Sequence, residues 1–530
     1  MIAKLKREAV RIMLFLAGDI LRRTARRLPG KTAVICGDAR FDYADLNARA
    51  NRFANGLLGR GIGKGAVVAI LSPNYPEYGV VYFGTARSGA VLANINARAT
   101  AKDVTEILNR TAAAATLVEA SLLPVVQAAR PAAPALRHVI AFGRGTVSSP
   151  GIETLADFTR GASADEPTVE MREDDAFGLT FTGGTTGVPK GVLVSHRNRG
   201  MSALTALVEF NLTENDIAAV TTPLFHTAGL YVWFHPAVMC GATCVLAPRW
   251  NVEDFLAMIE RHQVTAAVLV PTQINDLVKS PAFAPEKLRT LRKLNHAGMP
   301  MPVALIERLA ELVPWVQLTD NYGTSETGPI TARRPEHLPA KAGSVGRAAF
   351  NVEVEIRAPD GGPALPPGEV GEIVTRGDHV MLGYYNDPVA TAAVFKSRDR
   401  WFWTGDLGYL DEDGFVVLVD RLKDVVNLGG ENVFPLEIEQ VLYQHPAVGE
   451  CAVVGIPDDR LGEVPAAHVV LRTGMQVSEQ ALLEFCLARL ARHKRPRVIS
   501  FVAALPKTAV GKIEKHRIRE PYWQGRDKRI

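Results

Sequence analysis

Hydrophobic positions fall into two textures along this chain. Up to about residue 343, short apolar runs rich in β-branched residues alternate with longer stretches of helical spacing: Val67-Val-Ala-Ile-Leu71 follows a glycine-rich turn, and Ala266-Ala-Val-Leu-Val270 follows the helix-like Val252–His262. A continuous apolar run bounded by turns marks a strand buried on both faces, so the alternation predicts α/β layers with parallel sheets. From 343 the runs shorten and turns intervene, as in Val352-Glu-Val-Glu-Ile356, Asp360-Gly-Gly-Pro363 and Gly371-Glu-Ile-Val-Thr375, which predicts a small β-rich lobe. After Asp420-Arg421-Leu-Lys423 the pattern is mixed for about one hundred residues, enough for a separate domain. The expected fold class is α/β: a large N-terminal domain of layered α/β subdomains with the β-rich lobe (1–419), and a small mobile α+β C-terminal domain (420–530).

Gly61-Ile-Gly63-Lys-Gly65 imitates part of a dinucleotide fingerprint but precedes a strand instead of joining strand to helix, so it reads as a turn. Residues 111–135, rich in Ala and Pro, read as peripheral helix and connection, and 145–168 as a surface loop. The apolar stretch Val10–Ala17 is too short to span a bilayer, carries Arg11, and has Asp19 and Arg22, Arg23, Arg26 and Arg27 after it. It suits a helix packed on the body, and leaves open peripheral membrane contact through residues 1–28.

Composition narrows the class. Among 530 residues, 47% are hydrophobic and 22% charged, as in an ordinary globular protein. Five scattered cysteines without a Cys-x2-Cys pair indicate neither disulfide framework nor zinc site, so a cytoplasmic setting is expected, with the inner face of a membrane open. Residues 1–30 carry eight Lys/Arg against two Asp/Glu and residues 492–530 carry twelve against three, so the middle bears the acidic excess. No aromatic-interleaved basic stripe accompanies these ends, and nucleic acid is not an expected partner; a homodimer stays open.

The most informative segment is Phe181-Thr-Gly-Gly-Thr-Thr-Gly-Val-Pro-Lys-Gly191. Gly183, Gly184 and Gly187 let backbone N–H groups turn toward an anion, Thr182, Thr185 and Thr186 add hydroxyls, and Lys190 adds a positive charge. This is phosphate-cradling chemistry, although Pro189 and Gly191 around the lysine exclude the common nucleotide-triphosphate loop. Five further motifs stand at wide intervals: Pro223-Leu-Phe-His226, Asp320-Asn-Tyr-Gly-Thr-Ser-Glu326, Trp403-Thr-Gly-Asp406, Arg421-Leu-Lys-Asp-Val-Val-Asn-Leu-Gly-Gly-Glu-Asn-Val-Phe-Pro435 and Pro506-Lys-Thr-Ala-Val-Gly-Lys512. In order and spacing the six resemble the acyl-adenylate-forming superfamily of acyl-CoA synthetases, luciferases and peptide-synthetase adenylation domains, from about residue 30 to 515.

The resemblance implies a two-step reaction. A carboxylate attacks the α-phosphorus of ATP, pyrophosphate leaves, and a thiol displaces AMP from the mixed anhydride. Because two anions meet in the first step, lysines and Mg²⁺ are required. Carried over by motif, Thr182 to Lys190 hold the β- and γ-phosphates and Tyr322 lies against adenine. Asp320, Asn321, Gly323 and the backbone near Gly298 complete the nucleotide site. Glu326 helps bind Mg²⁺, Thr324 and Ser325 donate to the α-phosphate or the acyl carboxylate, and Asp406, with Arg421 beside it, accepts the ribose hydroxyls. Lys512 bridges α-phosphate and carboxylate, so Lys512, Glu326, Thr182 and Lys190 are the expected catalytic set. His226, His296 and Ala297 are expected along the acyl pocket, Gly429, Gly430 and Glu431 along the pantetheine of coenzyme A, and Asp420 at the pivot. His296 and Met299 depart from the small residues usual there, and Ser325 stands where Thr is commoner.

No carrier domain follows in this sequence, which favours coenzyme A as acceptor; loading of a separate carrier protein is the alternative, and an inactive lipid-associated scaffold is a reading of another class. The segment His226-Thr-Ala-Gly-Leu-Tyr-Val-Trp233 is apolar with no arginine for a second carboxylate, so the expected substrate is a monocarboxylic acid, fatty before aromatic.

Overall fold

The computed structural model describes residues 15–145, 148, 150–182, 190–396, 399–508 and 511–524. Two large sheets dominate the N-terminal part. One has nine strands, with Gln317–Thr324, Lys293–Ala297, Ala266–Leu269, Ile217–Val220, Thr243–Leu246 and Thr32–Cys36 side by side and parallel. The other has eight, of which Ala176–Thr182, Val91–Ile95, Val67–Leu71, Ala115–Glu119 and His138–Phe142 form its parallel centre. Val67–Leu71 and Val91–Ile95 are buried at every position, as a strand covered on both faces must be. The helices Tyr43–Leu58, Pro76–Ser88 and His196–Phe210 fill the space between the sheets, around a core that includes Phe53, Tyr82, Phe83, Phe177, Tyr231 and Trp233.

The β-rich lobe is a four-stranded antiparallel sheet, Glu353–Arg357, Gly371–Arg376, Phe402–Leu410 and Val416–Arg421. Beyond it a five-stranded sheet with its own core (Val426, Ile438, Leu442, Val453, Val469, Leu482) carries the helices Pro435–Tyr443 and Glu479–Leu487. The helix expected over Val252–His262 has those bounds, and the Gly61–Gly65 turn leads into its strand as expected.

Two segments differ from the sequence reading. Ala115–Glu119, taken as peripheral, is a fully buried strand inside the eight-stranded sheet; its Ala and Thr residues hide the apolar signal of a central strand, yet small side chains suit a layer pressed between helices. Within 145–168, Glu153–Thr154 pairs at the sheet edge and Phe158 is buried 5.6 Å from the Phe53 ring, which anchors this stretch to the body.

The helix Ala17–Arg27 lies on the body. Ala17 and Leu21 are fully buried, Thr24 Oγ1 donates to the Val238 carbonyl at 3.0 Å, and Arg22 pairs with Asp19 and Glu166. Residues 1–14, and with them most of the apolar N-terminal stretch, lie outside the described residues. Among the described residues no helix is long and apolar enough to cross a membrane.

Candidate active site

The phosphate-type loop joins two antiparallel strands, Ala176–Thr182 and Lys190–Ser195, with Thr182 directly opposite Lys190. Gly183, Gly184, Thr185, Thr186 and Gly187 lie outside the described residues, so the structure speaks only for the loop's two ends. The Lys190 ammonium stands 4.9 Å above the Tyr384 ring, and Tyr384 pairs with Val192 of the same strand. Tyr384's hydroxyl donates to Glu326 Oε1 at 2.8 Å, and the Glu326 carbonyl accepts Met381 N–H at 2.7 Å. Burial and the Glu326 charge hold that phenol well above its ordinary range, so it stays a donor. One tyrosine thus ties the loop's lysine to the carboxylate.

Tyr322 to Thr324 end the strand Gln317–Thr324, and a tight turn follows at Ser325–Thr327. A Cβ on Gly323 would come within 1.9 Å of the Gly328 carbonyl, which explains glycine there. Thr324 N–H donates to Thr327 Oγ1 at 3.1 Å, and the Ser325 carbonyl accepts from Arg199 Nη2 at 2.7 Å. Tyr322's hydroxyl donates to Asp406 Oδ2 at 2.8 Å, while Arg421 Nε lies 3.2 Å from Asp406 Oδ1, directly across the ladder. Asp406 is buried, and its charge holds the Arg421 guanidinium above its usual pKa.

Asp320 turns inward, Oδ1 lying 3.2 Å from His296 Nδ1 and Oδ2 3.6 Å from Arg333 Nη2, while His296 Nε2 lies 3.2 Å from the same Arg333 nitrogen. His296, expected to line the acyl pocket, is buried with both ring nitrogens facing protein, and burial lowers its pKa. Asn321 Oδ1 is buried with no hydrogen-bond partner among the described residues. Ala297 ends the strand Lys293–Ala297 beside Gly298, whose φ of +92° is a glycine conformation.

Lys512 comes to this place from the C-terminal part. A Cβ on Gly298 would sit 3.6 Å from Lys512 Cε, and one on Gly511 would sit 2.6 Å from Thr272 Oγ1, so the turn holding the lysine is seated against the helix Pro271–Lys279. Burial lowers Lys512 to about 8, Arg421 adds to the shift, and Asp406 and Glu326 oppose it. On the acyl side His226 caps the short helix Thr227–Gly229, its Nδ1 accepting Ala228 N–H at 3.2 Å; burial, then the Lys512 charge, lowers it to about 3, so the ring is neutral. The next turn, Leu230–Phe234, is π-helical, a widening that recurs at functional sites.

Four expected residues stand apart. Gly429 and Gly430, both at positive φ, form an exposed hairpin tip whose contacts are to Asn427 and Leu461, and Glu431 faces His493 at 3.9 Å, all in the same lobe. Asp420 is buried; its carboxylate accepts Arg421 N–H at 2.7 Å and Leu436 N–H at 2.8 Å, capping the helix Pro435–Tyr443 from the boundary side. Two residues not singled out from sequence join the site, Tyr384 and Arg199. Gly383-Tyr-Tyr385 offers an aromatic signal, whereas Arg199 carries none, because the Ser325 carbonyl it bonds lies over a hundred positions away.

Comparison with known proteins gives the same direction. Residues 21–385 match the family described as AMP-binding enzyme, and residues 437–512 match the AMP-binding enzyme C-terminal domain. The chain is 36% identical to the long-chain-fatty-acid–CoA ligase FadD13 of Mycobacterium tuberculosis, covering 95% of this chain and 98% of that one. It is 35% identical to a feruloyl-CoA synthase of Amycolatopsis, covering 94% and 98%. Among solved structures, ATP-bound MatB from Rhodopseudomonas palustris superposes with a TM-score of 0.87 at 29% identity, covering 95% and 99%.

Proposed function

The chain belongs to the AMP-binding enzyme family and is an AMP-forming acid–thiol ligase, and on that premise we propose that it converts a monocarboxylic acid, fatty before aromatic, through an acyl-adenylate to its coenzyme A thioester. The observation that carries the reading is the meeting of Lys512 with Gly298, Glu326, Asp406 and Arg421, groups more than two hundred positions apart in part, at one place.

In this reading Thr182, Lys190 and the loop between them hold the outer phosphates. Thr324 and Ser325 face the α-phosphate, and Asp406 takes the ribose diol in a corner already shaped by Tyr322 and Arg421. Asp320 acts behind the adenine through His296 and Arg333, with Asn321 and Gly323 forming the strand edge on which the base lies. Lys512 neutralises the approach of carboxylate to phosphate. Magnesium fits Glu326, which Tyr384 orients through one oxygen, because that ion is usually held by one carboxylate together with phosphates. When bound it supplies positive charge against the pyrophosphate leaving group.

Ala297 and His226 border the acid. The boundary lies at 420, with domains 1–419 and 420–530: Asp420 is the pivot about which Lys512 withdraws and the Gly429–Glu431 tip comes in to coenzyme A. A panel of carboxylic acids assayed for AMP release, with coenzyme A against a phosphopantetheinylated carrier as acceptor, tests this. Acid-dependent AMP release with coenzyme A is the expected result; release only with the carrier, or none, overturns it.

A further inference from the structure

Arg199 projects from the first turn of the helix His196–Phe210 and is fully buried. Among the described residues no carboxylate is in ion-pair contact with it, and Glu326 is the carboxylate whose charge reaches it. Its Nη2 donates to the Ser325 carbonyl at 2.7 Å and its guanidinium lies 4.6 Å over the Tyr231 ring, while Nε and Nη1 have no hydrogen-bond partner among the described residues. Tyr231 lies 6.0 Å from Tyr82, whose ring stands 5.5 Å from that of His235. Tyr82's hydroxyl pairs with His235 Nδ1 at 2.8 Å. The other ring nitrogen, Nε2, is also buried and has no hydrogen-bond partner among the described residues. Burial keeps that imidazole neutral, and the Arg199 charge adds to the effect.

Three buried nitrogens, Arg199 Nε and Nη1 and His235 Nε2, thus have no hydrogen-bond partner among the described residues. Native interiors rarely leave such groups unmade. Water offers a proton as well as lone pairs; a carbonyl or carboxylate oxygen offers only lone pairs, and so matches the donor-only guanidinium more fully. The place is also significant. Tyr231 and His235 come from the π-helical turn and the residue after it, directly following His226, and Arg199 is bonded to the residue between Thr324 and Glu326.

We propose that Arg199 and His235 form a polar subsite on the acyl side of the Ser325 turn, which receives an acceptor oxygen, oxo or carboxylate, borne on the chain of the acid. This rests on the acid–thiol ligase reading above, and its carboxylate arm would widen the acid beyond a monocarboxylic one. Arg199 is then a specificity-determining residue that acts on the chain of the acid.

The test uses the full chain and three acids of one chain length: unsubstituted, bearing a terminal ketone, and bearing a terminal carboxylate. The readout is the ratio of kcat/KM for each oxygenated acid to the unsubstituted one. The native protein is expected to favour at least one oxygenated acid by tenfold or more, the two arms telling ketone from carboxylate. Arg199→Met is expected to lower that ratio at least tenfold; His235→Phe, which keeps Arg199 in place, is expected to lower it less. Arg199→Lys should keep part of a carboxylate preference and lose a ketone preference. Because the readout is a ratio, a general loss of activity does not imitate it, and His235→Phe serves if Arg199→Met fails to fold. A flat ratio in the native protein, or one unmoved in the variants while turnover persists, overturns this assignment and leaves the reaction standing; no AMP release with any acid overturns both.

Discussion

At the corner built around Asp406, both carboxylate oxygens already have protein donors, Tyr322 and Arg421; at the corner built around Arg199, three buried nitrogens have no hydrogen-bond partner among the described residues. The first corner keeps its shape without a ligand, so in the proposed function a ribose diol meets a carboxylate already aimed at it. The second is completed only by what enters. One ligand is the same in every turnover, and its corner is preformed; the other ligand defines the enzyme's place in metabolism, and its corner is left chemically open.

Lys512 lies at the seam between the nucleotide side and the acyl side: the charges of Asp406 and Glu326 act on it, and its own charge acts on His226. Breaking the seam has the largest expected effect. Lys512→Ala should slow adenylation by roughly 10²- to 10³-fold while largely sparing thioester formation from a preformed acyl-adenylate. Equal damage to both half-reactions would mean that the lysine does not act where carboxylate meets phosphate.

The pivot comes next. Asp420→Pro fixes φ near −65° and removes both the N–H and the capping carboxylate. Its expected signature is retained acid-dependent pyrophosphate exchange with coenzyme A turnover reduced by about a hundredfold, the usual scale for misplaced reacting groups. Asp420→Ala, which removes the cap alone, separates the hinge from the helix it caps; a proline variant completing the whole reaction at the native rate excludes a pivot at 420.

Asp406→Ala attacks the preformed corner. Each charge-assisted hydrogen bond to the ribose is worth about 1.5–3 kcal/mol, so the Kd for ATP should rise by about 10- to 100-fold per bond lost. An unchanged Kd in a folded variant would show that the corner is structural only. The smallest effect is a matter of pH. With Lys512 lowered to about 8 and needed as the cation, kcat/KM for adenylation should fall by about tenfold per unit above that pH. Lys512→Arg should remove that limb, since a guanidinium keeps its charge throughout the range.

The preformed corner was legible in the sequence because its residues sit in compact motifs: Tyr322, Asp406 and Arg421 each stand in a run whose neighbours make the local turn, as Gly323 does beneath Gly328. The layered fold was legible for the same reason, strand and helix each having a local period. Ala115–Glu119 escaped because small residues carry little pattern, although the sheet around them makes them central. His296 was expected along the acyl pocket, but its orientation was not legible, because it depends on Arg333 arriving from two strands away. Arg199 was not legible at all. The segment 226–233 indeed lacks an arginine; the one that covers its tyrosine comes from a helix that ended before that segment began.

That helix has another neighbour. Phe15 packs where a side chain on Gly200 would stand, its Cβ 2.8 Å from that position, Ala17 N–H donates to His196 Nδ1 at 3.2 Å, and Phe15 N–H donates to Glu173 at 2.8 Å. Residues 15–17 are therefore clamped over the turn that carries Arg199. For anyone engineering this protein, a boundary trimmed past residue 15 is not neutral: with the role proposed for Arg199, such an edit is an edit of substrate choice, made from outside the pocket.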